Sequence, residues 1–130
     1  MTQNTTGNRP IGVVQKDKLL SFTLMGMLGS LGQNPIEKLV DSKTQPGDIS
    51  YFVRENNLAL LLLSASFDPA KAGQGVKYIP QIKTAAPEVG IIITSGSGQY
   101  KDEAMANGAD EYLLTPFGVE ELGEVLQNLL

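Results

Sequence analysis

A chain of 130 residues without cysteine or histidine fits one domain. It excludes a disulfide framework, a thiolate metal site, and the residue most often used as general base or metal ligand. A formal net charge of −4, with ten scattered basic residues, argues against a nucleic-acid surface, which needs clustered Lys and Arg. No run approaches the ~18 apolar residues of a membrane span. Residues 1–10 are polar and lack the apolar centre of a signal peptide, so a flexible tail is expected ahead of a single domain at 11–130.

Residues 11–14, Ile-Gly-Val-Val after a proline, predict a short buried strand. Asp17 then offers an N-cap. Leu19, Leu20, Phe22, Thr23, Met27, Leu28 and Leu31 recur at spacings of three and four, which predicts an amphipathic helix closed by Gly32. Residues 36–40 alternate apolar and charged side chains, as a strand with one wet face does. Gln45-Pro46-Gly47-Asp48 is a turn that opens a helix over 49–56. The all-apolar run 58–63, bounded by Asn-Asn and Ser, is short and has no polar face, so it predicts a fully buried parallel strand.

A loop rich in Ser, Pro, Ala and Gly spans 64–75. A helix follows over 76–86 on Val76, Ile79, Ile82 and Ala86, with Pro80 inside it against the usual rule. After a break at Pro87-Glu88, residues 89–93 predict a second wholly apolar strand and 94–98 a Gly/Ser loop. Residues 100–107 predict a short helix with Gly108 placed for a left-handed cap. A short strand at 111–114 and a turn at Pro116 lead to a closing helix over 119–130. Its stripe is Val119, Leu122, Val125, Leu126 and Leu129. Strand and helix thus alternate five times. Buried strands in that order require a parallel sheet between helices, and right-handed crossovers make it a doubly wound, flavodoxin-like α/β fold.

The stretch Gly108-Ala-Asp-Glu-Tyr-Leu-Leu-Thr-Pro-Phe117 resembles the Gly-Ala-Asp-x-Tyr-x-x-Lys-Pro-Phe run that ends receiver domains of two-component response regulators. Val13-Val14, residues 58–63 and Ile91-Ile-Ile-Thr-Ser95 are similar to that family's first, third and fourth strands, so the resemblance extends over 11–130. It implies a signal-transduction module of a phosphorelay. In the family, an Asp ending the third strand takes a phosphoryl group from a partner histidine, and two acidic residues after the first strand hold Mg²⁺. A Thr or Ser after the fourth strand and a Lys after the fifth contact the acyl phosphate.

Carried onto this chain, the acidic pair falls on Gln15 and Lys16, the acceptor on Ser64 and the Lys on Thr115. Only the hydroxyl Thr94 and the aromatic Tyr112 are kept, with Asp17 beside the lost pair but outside the family's metal site. An amide and a cation do not replace two carboxylates around Mg²⁺. These correlated departures imply a pseudo-receiver: no metal, no cofactor, no enzymatic activity, and a phosphorylation-independent adaptor or regulator. Its partner would be another signalling protein or a second copy, in the reducing cytoplasm that a cysteine-free chain suits. The face implied by the resemblance is the fourth helix, fifth strand and fifth helix, drawing on Tyr100, Met105, Glu111, Leu113 and residues 118–125. Tyr112 either gates that face or is a half-buried strand aromatic. Lys16 either supplies the missing metal's charge or is a solvated strand-end cation.

Other readings stand beside this one. Asp68 or Ser64 as an atypical phosphoacceptor is the first, although Asp68-Pro69 equally opens a turn and Ser64 equally opens a loop. A small ligand at the strand C-termini is the second, with Thr94-Ser-Gly-Ser-Gly98 cradling a phosphate; that loop lacks the spacing of the nucleotide fingerprints. Thr115-Pro116 is a candidate cis bond, as in the matching family turn. Because the chain stops with its last helix, a stand-alone adaptor or a fragment of a larger regulator is expected.

Overall fold

The computed structural model describes residues 9–130. Strands β1 (Ile11–Gln15), β2 (Pro35–Leu39), β3 (Leu60–Ser64), β4 (Gly90–Ser95) and β5 (Glu111–Leu114) alternate with helices α1 (Lys18–Ser30), α2 (Pro46–Glu55), α3 (Gln74–Ala85), α4 (Lys101–Asn107) and α5 (Val119–Leu129). Single 3₁₀ turns at Pro69–Lys71 and Gly98–Tyr100 precede α3 and α4. The strands form one parallel sheet in the order β2-β1-β3-β4-β5. This is the doubly wound order in which the chain reverses direction between β1 and β3.

Alternate strand residues feed two cores, as the twofold side-chain period of a strand demands. Val14, Leu61, Leu63, Ile91, Ile93 and Tyr112 face α2, α3 and α4. Ile11, Val13, Leu60, Leu62, Ile92 and Leu113 face α1 and α5. With apolar layers on both sides, β3 is buried at every residue. The edge strand β2 is not: Glu37 and Leu39 are exposed while Pro35, Ile36 and Lys38 are half-buried, so its exposure does not follow the alternation of apolar and charged residues.

Element order is as the periodicity predicts, and several boundaries move for local reasons. The helix expected over 49–56 begins at Pro46, where a missing N–H is harmless, and the Asp48 carboxylate accepts the Gln45 N–H at 2.9 Å. In the run 58–63, Leu58 and Ala59 are buried ahead of the ladder, and Ser64 pairs with Thr94. The strand expected over 89–93 runs on to Ser95. Helix α3 starts two residues early, after a left-handed Gly73 (φ 80°).

Pro80 is tolerated within α3 because the Val76 carbonyl, which a Pro80 N–H would have reached, accepts Asn107 Nδ2 at 2.9 Å instead. Gly75 lets the start of α3 approach β3, since a Cβ there would lie 1.9 Å from the Ser64 carbonyl oxygen. The residues 1–8 of the expected tail lie outside the described residues. Arg9 and Pro10, at its end, are tied in: Arg9 Nη2 donates to the Leu58 carbonyl at 2.8 Å, and the Pro10 carbonyl accepts the Ala59 N–H. Among the described residues, no helix is long and apolar enough to cross a membrane.

Candidate functional site

Parallel pairing brings the C-terminal ends of β1, β3 and β4 to one edge of the sheet. The switch in strand direction there leaves a crevice, the usual ligand position of an open α/β sheet. Val14 pairs with Leu63 and Ser64 with Thr94, so Gln15, Ser64 and Thr94 converge at the strand ends. All three are buried, Gln15 completely. The Gln15 Oε1 accepts the Ser64 hydroxyl at 2.8 Å and the Thr94 hydroxyl at 3.2 Å. Gln15 Nε2 donates to the Leu62 carbonyl at 3.3 Å. This sets the amide orientation, because the reverse would oppose two carbonyl oxygens. The Ser64 oxygen in turn accepts the Lys16 N–H at 3.4 Å. Each strand-end polar group therefore has a partner within the protein.

Above this floor lies an open cleft of about 290 Å³, with Lys16, Asp17, Ser66, Ser95 and Thr115 around it. Lys16 is exposed to solvent. The Asp17 carboxylate caps α1, accepting the N–H groups of Leu19 at 2.8 Å and Leu20 at 3.3 Å. The Mg²⁺ implied by the family resemblance does not fit this donor set. One carboxylate is engaged in a helix cap, the neighbouring amide faces inward to hydroxyls, and a cation stands between them. Among the described residues, no group of three or more Asp or Glu is placed to hold a metal.

The other singled-out residues are placed as follows. The Asp68 carboxylate caps the 3₁₀ turn, accepting the Ala70 N–H at 2.9 Å, and it does not line the cleft. Phe67 before it is buried against Tyr78, edge to face, which anchors the loop. In the 94–98 loop, the Ser95 hydroxyl accepts the Ser97 N–H and the Ser97 hydroxyl accepts the Gln99 N–H. Two N–H groups that a phosphate would use are therefore already engaged. Tyr112 is buried, and its hydroxyl donates to the Ser97 carbonyl at 2.6 Å, tying β5 to that loop. The Thr115-Pro116 bond is cis, with Thr115 on the cleft.

Leu113 is a correction. The sequence expectation gave it to a docking face, but it is buried in the core beneath α1 and α5, as are Leu122 and Val125 within 118–125. Leu113 lies on the face of β5 that packs against Leu122, Val125 and Leu126 of α5, so the edge position of its strand does not expose it. Tyr100 is half-buried, its ring over Gly73, and Glu111 is half-buried too. Met105, at 41% exposure, is open to solvent, as are residues 118–121 and Glu124. Ser66, whose hydroxyl accepts the Gly73 N–H at 2.8 Å and pins the loop before α3, was not foreseen. Nor was the accepting role of Gln15. Its signal was a polar residue ending a wholly apolar strand, with hydroxyls at the C-terminal ends of β3 and β4.

No family model matches the chain. In sequence it is 29% identical, over 120 residues and 91% of its length, to the two-component response regulator PhoP of Pseudomonas aeruginosa. It is 31% identical, over 90 residues and 68% of its length, to histidine kinase P4 of Formosa agariphila. The chain spans 50% of the first relative's length and 7% of the second's. In structure it superposes on chemotaxis protein CheY4 of Vibrio cholerae with a TM-score of 0.77 at 15% identity, covering 95% of this chain and 99% of that one. The receiver domain of NtrX from Brucella abortus gives 0.76 at 20% identity, covering 92% and 97%. The fold is that of response-regulator receiver domains.

Proposed function

We propose that this chain is a receiver domain of a two-component signalling protein that works by protein contact and takes no phosphoryl group. Likeness to PhoP in sequence and to receivers in fold supports the signalling class. The observation that carries the rest is the closed hydrogen-bond set of Gln15, Ser64 and Thr94.

Phosphoryl transfer needs a nucleophile, something to take its proton or a nucleophile already ionised, and positive charge on the transferring oxygens. Ser64 is the group at the acceptor position. Its proton points to a carboxamide oxygen, which is no base, and the chain has no histidine to act in its place. Gln15 gives the pocket floor the hydrogen bonds that a metal-bound acidic site would otherwise supply through its ligands. The fold is thereby kept while the chemistry is absent, and the surface remains as the means of signalling.

The test is incubation of the full chain with Mg²⁺ and acetyl phosphate, followed by intact-mass spectrometry. The expected result is an unmodified chain. A phosphoryl adduct mapped to Ser64 or Asp68 would overturn the proposal.

A further inference from the structure

We infer that the groove between the C-terminal end of α1 and the outer face of α5 docks a basic amphipathic helix from a partner protein. This rests on the reading of the chain as a contact module and names the chemistry of its partner. The groove holds about 610 Å³. Leu31, Val119, Leu126 and Leu130 give it an apolar lining, and Glu120 and Glu124 stand along it one helical turn apart.

Among the described residues, no Lys or Arg forms a salt bridge with those carboxylates. Helix α5 carries Glu120, Glu121 and Glu124 and no Lys or Arg, and no basic residue occurs after Lys101. Glu120 lies in the first turn, where the helix dipole favours an acid, and Glu124 lies one turn further on, where like charges at that spacing repel. The last turns of α1 and α5 both lack basic residues, so the negative ends of two helix dipoles are also left unanswered.

Gly123 is the second feature. It sits in the middle of α5, where glycine is less favourable than alanine. Its backbone is helical, and an added Cβ would meet only Leu31 at 3.4 Å, an ordinary contact. Neither backbone nor packing calls for glycine here, and its effect is to deepen the groove between Glu120 and Glu124.

The occupant follows from charge and shape. A second copy seated through the same helix would bring two sets of Glu120, Glu121 and Glu124 and no Lys or Arg of α5 into one interface, and an acidic membrane or a nucleic acid would be repelled. A helix with an apolar ridge seats between two helices, and Lys or Arg beside that ridge meets the carboxylates.

The test uses the isotope-labelled chain and two designed helices of one length, one of Leu and Lys and the other of Leu and Glu. With the Leu/Lys helix, the amides of Leu31, Glu120, Gly123 and Glu124 should shift saturably, and with the Leu/Glu helix they should not. Charge reversal at both positions, Glu120→Lys with Glu124→Lys, should weaken binding roughly tenfold. Gly123→Leu should fill the groove and abolish binding while circular dichroism shows the fold retained. Equal binding of both helices, no shift with either, or binding undiminished in the Gly123→Leu variant would overturn the inference. So would concentration-dependent shifts of the same amides without peptide, which would assign the groove to a second copy. None of these outcomes depends on phosphoryl chemistry, so failure here and failure of the pocket reading are separable.

Discussion

A carboxylate and a carboxamide share one shape, so position 15 can keep the geometry of an acidic side chain while reversing half of its chemistry. The Gln15 oxygen still accepts, but its nitrogen donates, and the donation goes inward to the Leu62 carbonyl at 3.3 Å. Removing the acceptor alone is the costly change, because buried hydroxyls are then left without partners. Gln15→Leu should therefore destabilise the fold by about 2–3 kcal/mol in urea unfolding. The triple replacement with Ser64→Ala and Thr94→Val should recover most of that loss, since removing both sides of a buried hydrogen bond is far cheaper than removing one. A triple variant as unstable as the single one would contradict this account of the pocket floor. The sequence was enough to mark Gln15, Ser64 and Thr115 as departures from the family pattern. It was not enough to show that Gln15 and Ser64 bond to each other, because that depends on the pairing register of β1 with β3.

At the scale of elements, α3 and α4 hold each other through one unusual bond. Pro80 leaves the Val76 carbonyl without its helical donor, and Asn107 supplies one from α4. Asn107→Ala should cost about 1 kcal/mol in the native chain and measurably less in a Pro80→Ala background, where the helix N–H returns. A double-mutant cycle in thermal or urea unfolding reads the difference directly, and strict additivity would mean the two sites are not coupled. Pro80 was visible in the sequence as a flaw in the helix, but its remedy, Asn107 in α4, thirty-one residues from the Val76 carbonyl it answers, was not. Element ends were misplaced where backbone chemistry outweighs hydrophobic pattern. Pro46 and Asp48 start α2 a turn before its apolar stripe, and Leu58 is buried without joining the ladder.

For the whole molecule, the apolar strand runs and the stripe of α5 were sufficient to predict a parallel sheet between two helical layers, because no other arrangement buries both faces of β3 and β4. The same burial explains why Leu113 was misjudged: a residue on a short edge strand looks available until α5 is packed against its face. Surface features were the least legible. The groove along α5 needs Leu31 from α1 to form one of its walls, and only the tertiary structure brings it there. The central claim, a receiver fold without receiver chemistry, is a claim about how the whole strand edge responds to a metal and to a phosphoryl mimic. Amide NMR during addition of Mg²⁺ and then beryllofluoride tests it most directly. The account predicts that the resonances of Lys16, Ser64, Thr94 and Tyr112 stay in place through both additions. Saturable shifts of those resonances with millimolar-range Mg²⁺, and again with beryllofluoride, would contradict it and identify a live phosphorylation switch.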